Sequence, residues 1–221
     1  MAARFQGIPV EAFEFYEALA AENTKAWWTA HKATYDTTVR GPMEDLIADL
    51  ADEFGEGRMF RPYNDVRFSK DKTPYKVHQG AYVPTEDGIG YYVQVSASGL
   101  MVAGGWWSPS PKQVARYRDA VDTAAGVVLE KAVASAEKAG LTLGGDVMKT
   151  RPRGIPEDHP RIELLRHRTL TVERNDGTPA WVSTRKAITH VQKQWRAMAP
   201  LIEWLTDHVG PEDDGIPPEP R

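Results

Sequence analysis

The chain has no cysteine. That absence excludes a disulfide framework, a thiolate metal site and a cysteine nucleophile, and it fits a reducing compartment. Positive charge is not in excess either. The 27 Lys and Arg against 31 Asp and Glu leave a net charge of −4, which argues against a general polyanion binder. Long uncharged apolar runs are scarce. The start carries Arg4, Glu11, Glu14, Glu17 and Glu22 among its apolar residues, unlike a signal peptide. The stretch from Gly88 to Pro111 is uncharged, but Gln94, Ser96, Ser98, Ser108 and Ser110 interrupt it and its apolar spacing has period two. It reads as strands, not as a membrane span. The expectation is a cytoplasmic protein without membrane contact. The phosphate-loop, dinucleotide, zinc-protease and nucleophile-elbow signatures are all missing. Six scattered histidines give no metal spacing, so neither metal nor cofactor is expected.

What is present is a chain of 221 residues, 41% hydrophobic with seven Trp, enough for one domain that buries about 70% of its surface on folding. Val10, Phe13, Tyr16 and Ala20 recur at helical steps after Pro9, and Asn23 is placed to cap a second helix through Trp28, His31, Tyr35 and Val39. Pro42 opens a third, with Met43, Leu46, Ile47, Leu50 and Phe54 on one face. Segments 81–84, 90–96 and 100–106 alternate like the strands of an antiparallel meander, with turn residues at 85–88 and 97–99. Ser110-Pro111 starts another helical stretch that Gly140 ends. Residues 169–172 and 180–182 suggest strands, and two helices close the chain, the second starting at Pro200. Strands grouped between helices point to an α+β fold: a single domain over 1–210, with a central antiparallel sheet flanked by N- and C-terminal helices. Residues 211–221 read as an acidic, proline-rich flexible tail.

Charge is concentrated. Residues 58–78 hold Arg58, Arg61, Arg67, Lys70, Lys72 and Lys76 against only Asp65 and Asp71. The densest part, Arg67-Phe68-Ser69-Lys70-Asp71-Lys72-Thr73-Pro74-Tyr75-Lys76-Val77-His78, sets cations beside a hydroxyl, a phenol and an imidazole. Convergent Arg and Lys make a site for phosphate or carboxylate, Arg as a fork and Lys as a point charge. The bland alternative is a solvated, charged loop. A second basic stretch, Lys149 to Pro156, offers Arg153 as a further anion ligand. Trp106 and Trp107 must point to opposite faces of a strand, so one of them is free to stack on a ligand. For Trp27, Trp28 and His31, core packing is the plainer reading.

Phe5-x-Gly7-Ile8, Asn23, Trp27-Trp28-x-x-His31-Lys32-x-x-Tyr35, the string from Asp65 to Lys76, Gly104-Gly105-x-x-x-Pro109 and Arg153-Gly154-Ile155-Pro156-x-Asp158-His159-Pro160 occur in an order that resembles the uncharacterised family known as domain of unknown function 2461. The likeness spans about residues 4–209. Ala26 and Trp28 depart from it, where relatives more often carry an acidic residue and Phe. The resemblance implies an α+β domain and a bacterial-type cytosolic protein, makes the Arg67–Lys76 string a hallmark, and carries no activity, substrate or cofactor.

The sequence therefore supports two functional expectations. One is a small anionic ligand held by Arg67, Ser69, Lys70, Lys72, Tyr75, Lys76 and Arg153, with Trp106 stacked on it and Asp65, Asp71 or His78 as acid or base. The other is a non-enzymatic module that presents the basic surface to an acidic protein or to nucleic acid, with the string partly a structural ion network. The acidic net charge and the lack of a nucleic-acid motif weigh against nucleic acid. No nucleophile–base pair can be named, so catalysis is left open.

Overall fold

The computed structural model describes residues 5–67, 70 and 72–211. Its helices and strands run in the order α1 (Val10–Ala21), α2 (Lys25–Thr34), a π turn (Tyr35–Arg40), α3 (Gly41–Phe54), β1 (Arg58–Met59), β2 (His78–Glu86), β3 (Ile89–Ser96), β4 (Gly99–Trp106), α4 (Pro111–Val121), α5 (Ala124–Lys138), β5 (Thr142–Gly144), α6 (Ile162–Leu165), β6 (Leu170–Gly177), a 3-10 turn (Ala180–Ser183) and α7 (Lys186–His208). The fold is α+β, with the strands in one antiparallel sheet ordered β1-β2-β3-β4-β6-β5. Among the described residues no helix is long and apolar enough to cross a membrane.

Contacts cluster into two compact units: Met1–Val83 with Tyr91–Ala103 and Arg174–Trp195, and Pro84–Gly90 with Gly104–Glu173 and Arg196–Arg221. In the first, α1 buries Phe13, Phe15, Tyr16 and Leu19, and α3 buries Met43, Leu46, Ile47 and Leu50. Trp195 stacks on Tyr91 with centroids 5.1 Å apart, and Phe54 meets both rings edge-on. Each large apolar side chain so buried stabilises the fold by about 1.5–3 kcal/mol. In the second unit, Trp106 and Trp204 pack on Tyr117. The Tyr117 hydroxyl donates to the Leu164 carbonyl at 2.9 Å, and the Trp204 indole N–H donates to the Ala125 carbonyl at 2.8 Å.

Local chemistry sets several boundaries. Ser110 and Gln113 form a reciprocal capping box with Pro111 in the first turn of α4. Thr123 caps α5, so the helical stretch after Ser110 is two helices.

Four expectations are corrected. Thr24, not Asn23, caps α2, accepting from the Trp27 N–H at 3.1 Å. Helices α2 and α3 are joined by the π turn, in which the Gly41 N–H reaches five residues back to the Asp36 carbonyl. Residues 180–182 form the 3-10 turn, not a strand. The closing segment is one helix with Pro200 inside it. Its buried stripe of Val191, Trp195, Met198, Ile202 and Leu205 runs past the proline, and that burial outweighs the lost hydrogen bond. The tail expectation for 212–221 lies outside the described residues.

Candidate functional site

The basic string forms a loop that leaves the sheet after β1 and rejoins it at β2. Its base is closed by a short antiparallel bridge between Tyr63 and Tyr75. The Asn64 N–H donates to the Pro74 carbonyl at 3.0 Å, and the Lys76 N–H to the Pro62 carbonyl at 2.8 Å. Two side-chain amides complete the closure. Asn23 accepts from the Tyr75 N–H at 3.1 Å and donates to the Tyr75 carbonyl at 2.9 Å. Asn64 donates to the carbonyls of Thr73 and Tyr75. Pro74 brings no backbone donor of its own to this turn. The Tyr75 ring lies flat on Trp28, and burial raises the pKa of its phenol.

The string's charges divide between tip and base. At the tip, the Arg67 guanidinium grips both oxygens of Asp65, at 2.9 and 2.7 Å. That bond holds the Asp65 carboxyl below its usual range, which suits a permanent anion and not an acid. The pair is exposed, Arg67 at 76% of its side chain, so it is not a buried ion network. Lys72 donates to the Val66 carbonyl at 2.8 Å, and Lys70 is exposed. Ser69 and Asp71 lie outside the described residues.

At the base, Thr73, Tyr75, Lys76 and His78 line one cleft of about 360 Å³, with Asn23 and Asn64. Lys76 has no carboxylate partner among the described residues; its ammonium stands 5.3 Å from the centroid of the Phe60 ring. His78 is half-buried, and burial together with the Lys76 charge lowers its pKa. Its imidazole is therefore neutral near pH 7. The structure thus brings together three of the sequence-selected residues, Tyr75, Lys76 and His78, and leaves Asp65, Arg67, Lys70 and Lys72 outside this cleft's lining.

Trp106 and Arg153 belong to the second unit. Trp106 is fully buried against Tyr117 and offers no face to a ligand, which corrects its choice as a stacking ring. The strand alternation is obeyed, and Trp107 is the half-exposed member of the pair. Arg153 is exposed on the loop between β5 and α6, beside Gly154 with φ +86°. In the same loop His159 and Arg161 make structural contacts. The Arg161 N–H donates to Nδ1 of His159, so Nε2 carries the proton and donates to Asp122 at 2.9 Å. Arg161 donates to the Val121 and Thr123 carbonyls, satisfying the open end of α4.

A second cleft of the first unit, about 310 Å³, went unread in the sequence. Trp28, Tyr35, Asp36 and Arg40 line it from α2 and the π turn, and Phe60, Arg61 and Tyr63 from the chain after β1. Tyr35 is anchored there: its hydroxyl donates to Gln79 Oε1 at 2.6 Å, and Gln79 donates to the Phe60 and Gly80 carbonyls. Burial pushes the Tyr35 phenol up to about 12. The Trp28–Tyr35 spacing was the available signal, and Asp36, eight residues after Trp28, falls on the same helical side.

A family model described as "Conserved hypothetical protein (DUF2461)" matches residues 11–204. No curated protein matches the chain. Among solved structures, the crystal structure of an uncharacterized protein from Methanothermobacter thermautotrophicus is similar at 16% identity and a TM-score of 0.42, over 76% of this chain and 96% of that one.

Proposed function

The chain belongs to the DUF2461 family of conserved hypothetical proteins, and within that family we propose that it binds a small phosphate- or carboxylate-bearing ligand at the base of the basic string. The observation that carries the reading is the pairing of Lys76 and His78 in one cleft. Lys76 is a cation of the string without a carboxylate partner among the described residues, and His78 beside it is held neutral by burial and by that charge. An anion between them would answer Lys76 directly. It would also remove one of the two causes that keep His78 unprotonated, so binding should take up a proton. Arg67, Lys70 and Lys72 would add to the positive field that draws the anion in, not to its direct coordination.

The test is calorimetry and thermal shift with inorganic phosphate, sulfate and short carboxylates, at two salt concentrations. A ligand at about 100 times its Kd should stabilise the fold by about 2.7 kcal/mol. Lys76→Ala should abolish the shift, His78→Gln should weaken it and remove its pH dependence, and Arg67→Ala should keep most of it. Loss in Arg67→Ala with retention in Lys76→Ala would move the anion to the loop tip and overturn this reading. The absence of any shift would favour the interaction-module alternative.

A further inference from the structure

The cleft beside the π turn has a chemistry of its own. Phe60 and Tyr63 line it although they are 40% and 47% exposed, which makes them two of the few large apolar side chains left open to solvent. Arg61 stands between them in sequence. On the facing wall Lys32 is bound to Asp36, and Arg40 to Glu44 at 2.8 Å. Arg61 has no carboxylate within ion-pair distance among the described residues, so it is the cation of this cleft available to a ligand.

Two buried polar atoms of the lining residues lack partners. Among the described residues Trp28 Nε1–H has no acceptor, and Asp36 Oδ1 has no donor. Trp28 is only 4% exposed, so bulk water does not reach its indole nitrogen. One orphan is a donor and the other an acceptor. The π turn that carries Asp36 is a widened stretch of helix of the kind often found at functional sites.

We propose that this cleft is a second ligand site, separate from the Lys76–His78 cleft, for a planar heterocycle that carries an anionic group, with the chemistry of a nucleoside monophosphate. The exposed rings of Phe60 and Tyr63 supply stacking surface, and Arg61 supplies a bidentate fork for phosphate. A heterocycle's edge carries both an acceptor and a donor, which match Trp28 Nε1–H and Asp36 Oδ1. A sugar phosphate would leave the rings unused, and an aromatic phosphate without ring heteroatoms would leave both orphans unpaired. The volume is at the lower end of small-molecule sites, which suits a mononucleotide and not a dinucleotide.

The experiment is calorimetric titration of the intact protein with AMP, GMP, CMP and UMP, beside ribose 5-phosphate and phenyl phosphate. Lys76→Ala, which removes the phosphate site of the other cleft, is compared with Lys76→Ala carrying Arg61→Ala or Tyr63→Leu. Arg61 and Tyr63 are exposed, and equal thermal melts would show that their variants fold. At least one nucleotide should bind to Lys76→Ala, with affinity at least about tenfold weaker when Arg61→Ala or Tyr63→Leu is added. Ribose 5-phosphate and phenyl phosphate should bind more weakly than that nucleotide. Three results in that background would overturn the proposal: no nucleotide binding up to about 1 mM, equal binding of either simpler phosphate, or undiminished nucleotide binding with Arg61→Ala added. Inorganic phosphate binding that depends on Lys76 can fail without affecting this outcome, so the two sites are judged separately.

Discussion

The indole of Trp28 lies flat on the phenol ring of Tyr75, with centroids 4.2 Å apart and planes 8° from parallel. Trp28 comes from α2 and Tyr75 from the loop between β1 and β2. Phe15 of α1 meets Trp28 edge-on, and Tyr35 packs beside it. One stacked pair therefore ties the helical start of the chain to the base of the basic string and gives each of the two clefts one of its walls.

Removing that stack should be costly. Trp28→Ala should destabilise the protein by about 3–5 kcal/mol, since the indole is buried and leaves a large hole. A double-mutant cycle with Tyr75→Leu should return a coupling of about 0.5–1.5 kcal/mol, read from urea denaturation. Additive losses would mean that the stacking is incidental to burial.

The Asn23 clamp makes a sharper prediction. Asn23→Ala leaves the Tyr75 N–H without its partner, at a cost of about 1–3 kcal/mol in chemical denaturation. Asn23→Asp keeps the acceptor for that N–H but sets a carboxylate oxygen against the Tyr75 carbonyl, so it should not rescue stability at neutral pH. Full rescue by Asp would show that only the accepting half of the clamp matters.

Stability should depend on pH through His78 and His167. Burial is the first cause that lowers both pKa values from 6.5, with Lys76 adding to it at His78. In the window below 6.5 and above the folded-state values, the unfolded chain binds more protons than the folded one. Stability should therefore fall as pH drops through that window, and be unaffected by these two groups above it. Asp65, with its pKa lowered, acts in the same direction only at more acid pH, through 3.8 and below. Thermal melts of His78→Gln and His167→Gln should each flatten the upper window; an unchanged slope in both would refute the assignment.

Adjacent glycines at 104 and 105 should respond differently to alanine. Gly105 has φ +147°, and a Cβ there would lie 2.3 Å from the Leu170 carbonyl oxygen. Backbone cannot swing aside, so Gly105→Ala should be severely destabilising or prevent folding. At Gly104 the first obstacle is the Met198 sulfur at 2.8 Å, the flexible part of a side chain, so Gly104→Ala should cost less. Soluble yield and melting temperature of the two variants give the comparison, and a reversed order would refute it.

Much of the architecture was legible in local chemistry. The meander could be read from alternation in β2, β3 and β4, and the start of α4 from Ser110-Pro111, because those signals lie within a few residues of the structure they specify. The α+β class followed from their grouping. Where the reading failed, a distant partner had outbid a local preference. Asn23 is a good helix cap in isolation, but Tyr75, 52 residues away, takes both ends of its amide. Pro200 looks like a helix start until the buried stripe on either side of it is seen to be continuous. Trp106 and Trp107 were assigned to opposite faces, yet nothing local says which face is core; packing against Tyr117 decides it.

The candidate sites show the same division. The amino-acid sequence by itself determined that a dense set of cations would share one stretch of chain. Tertiary structure decided which of those cations is available. Arg67 is taken by Asp65 and Lys72 by a backbone carbonyl, whereas Lys76 meets His78 in a cleft. It also decided that Asp36 and Arg40 of the π turn would line a second cleft together with Arg61 of the chain after β1. Charge and shape are written residue by residue along a chain, but which charge is neutralised depends on the three-dimensional distance to its partner, and that distance exists only once the chain has folded.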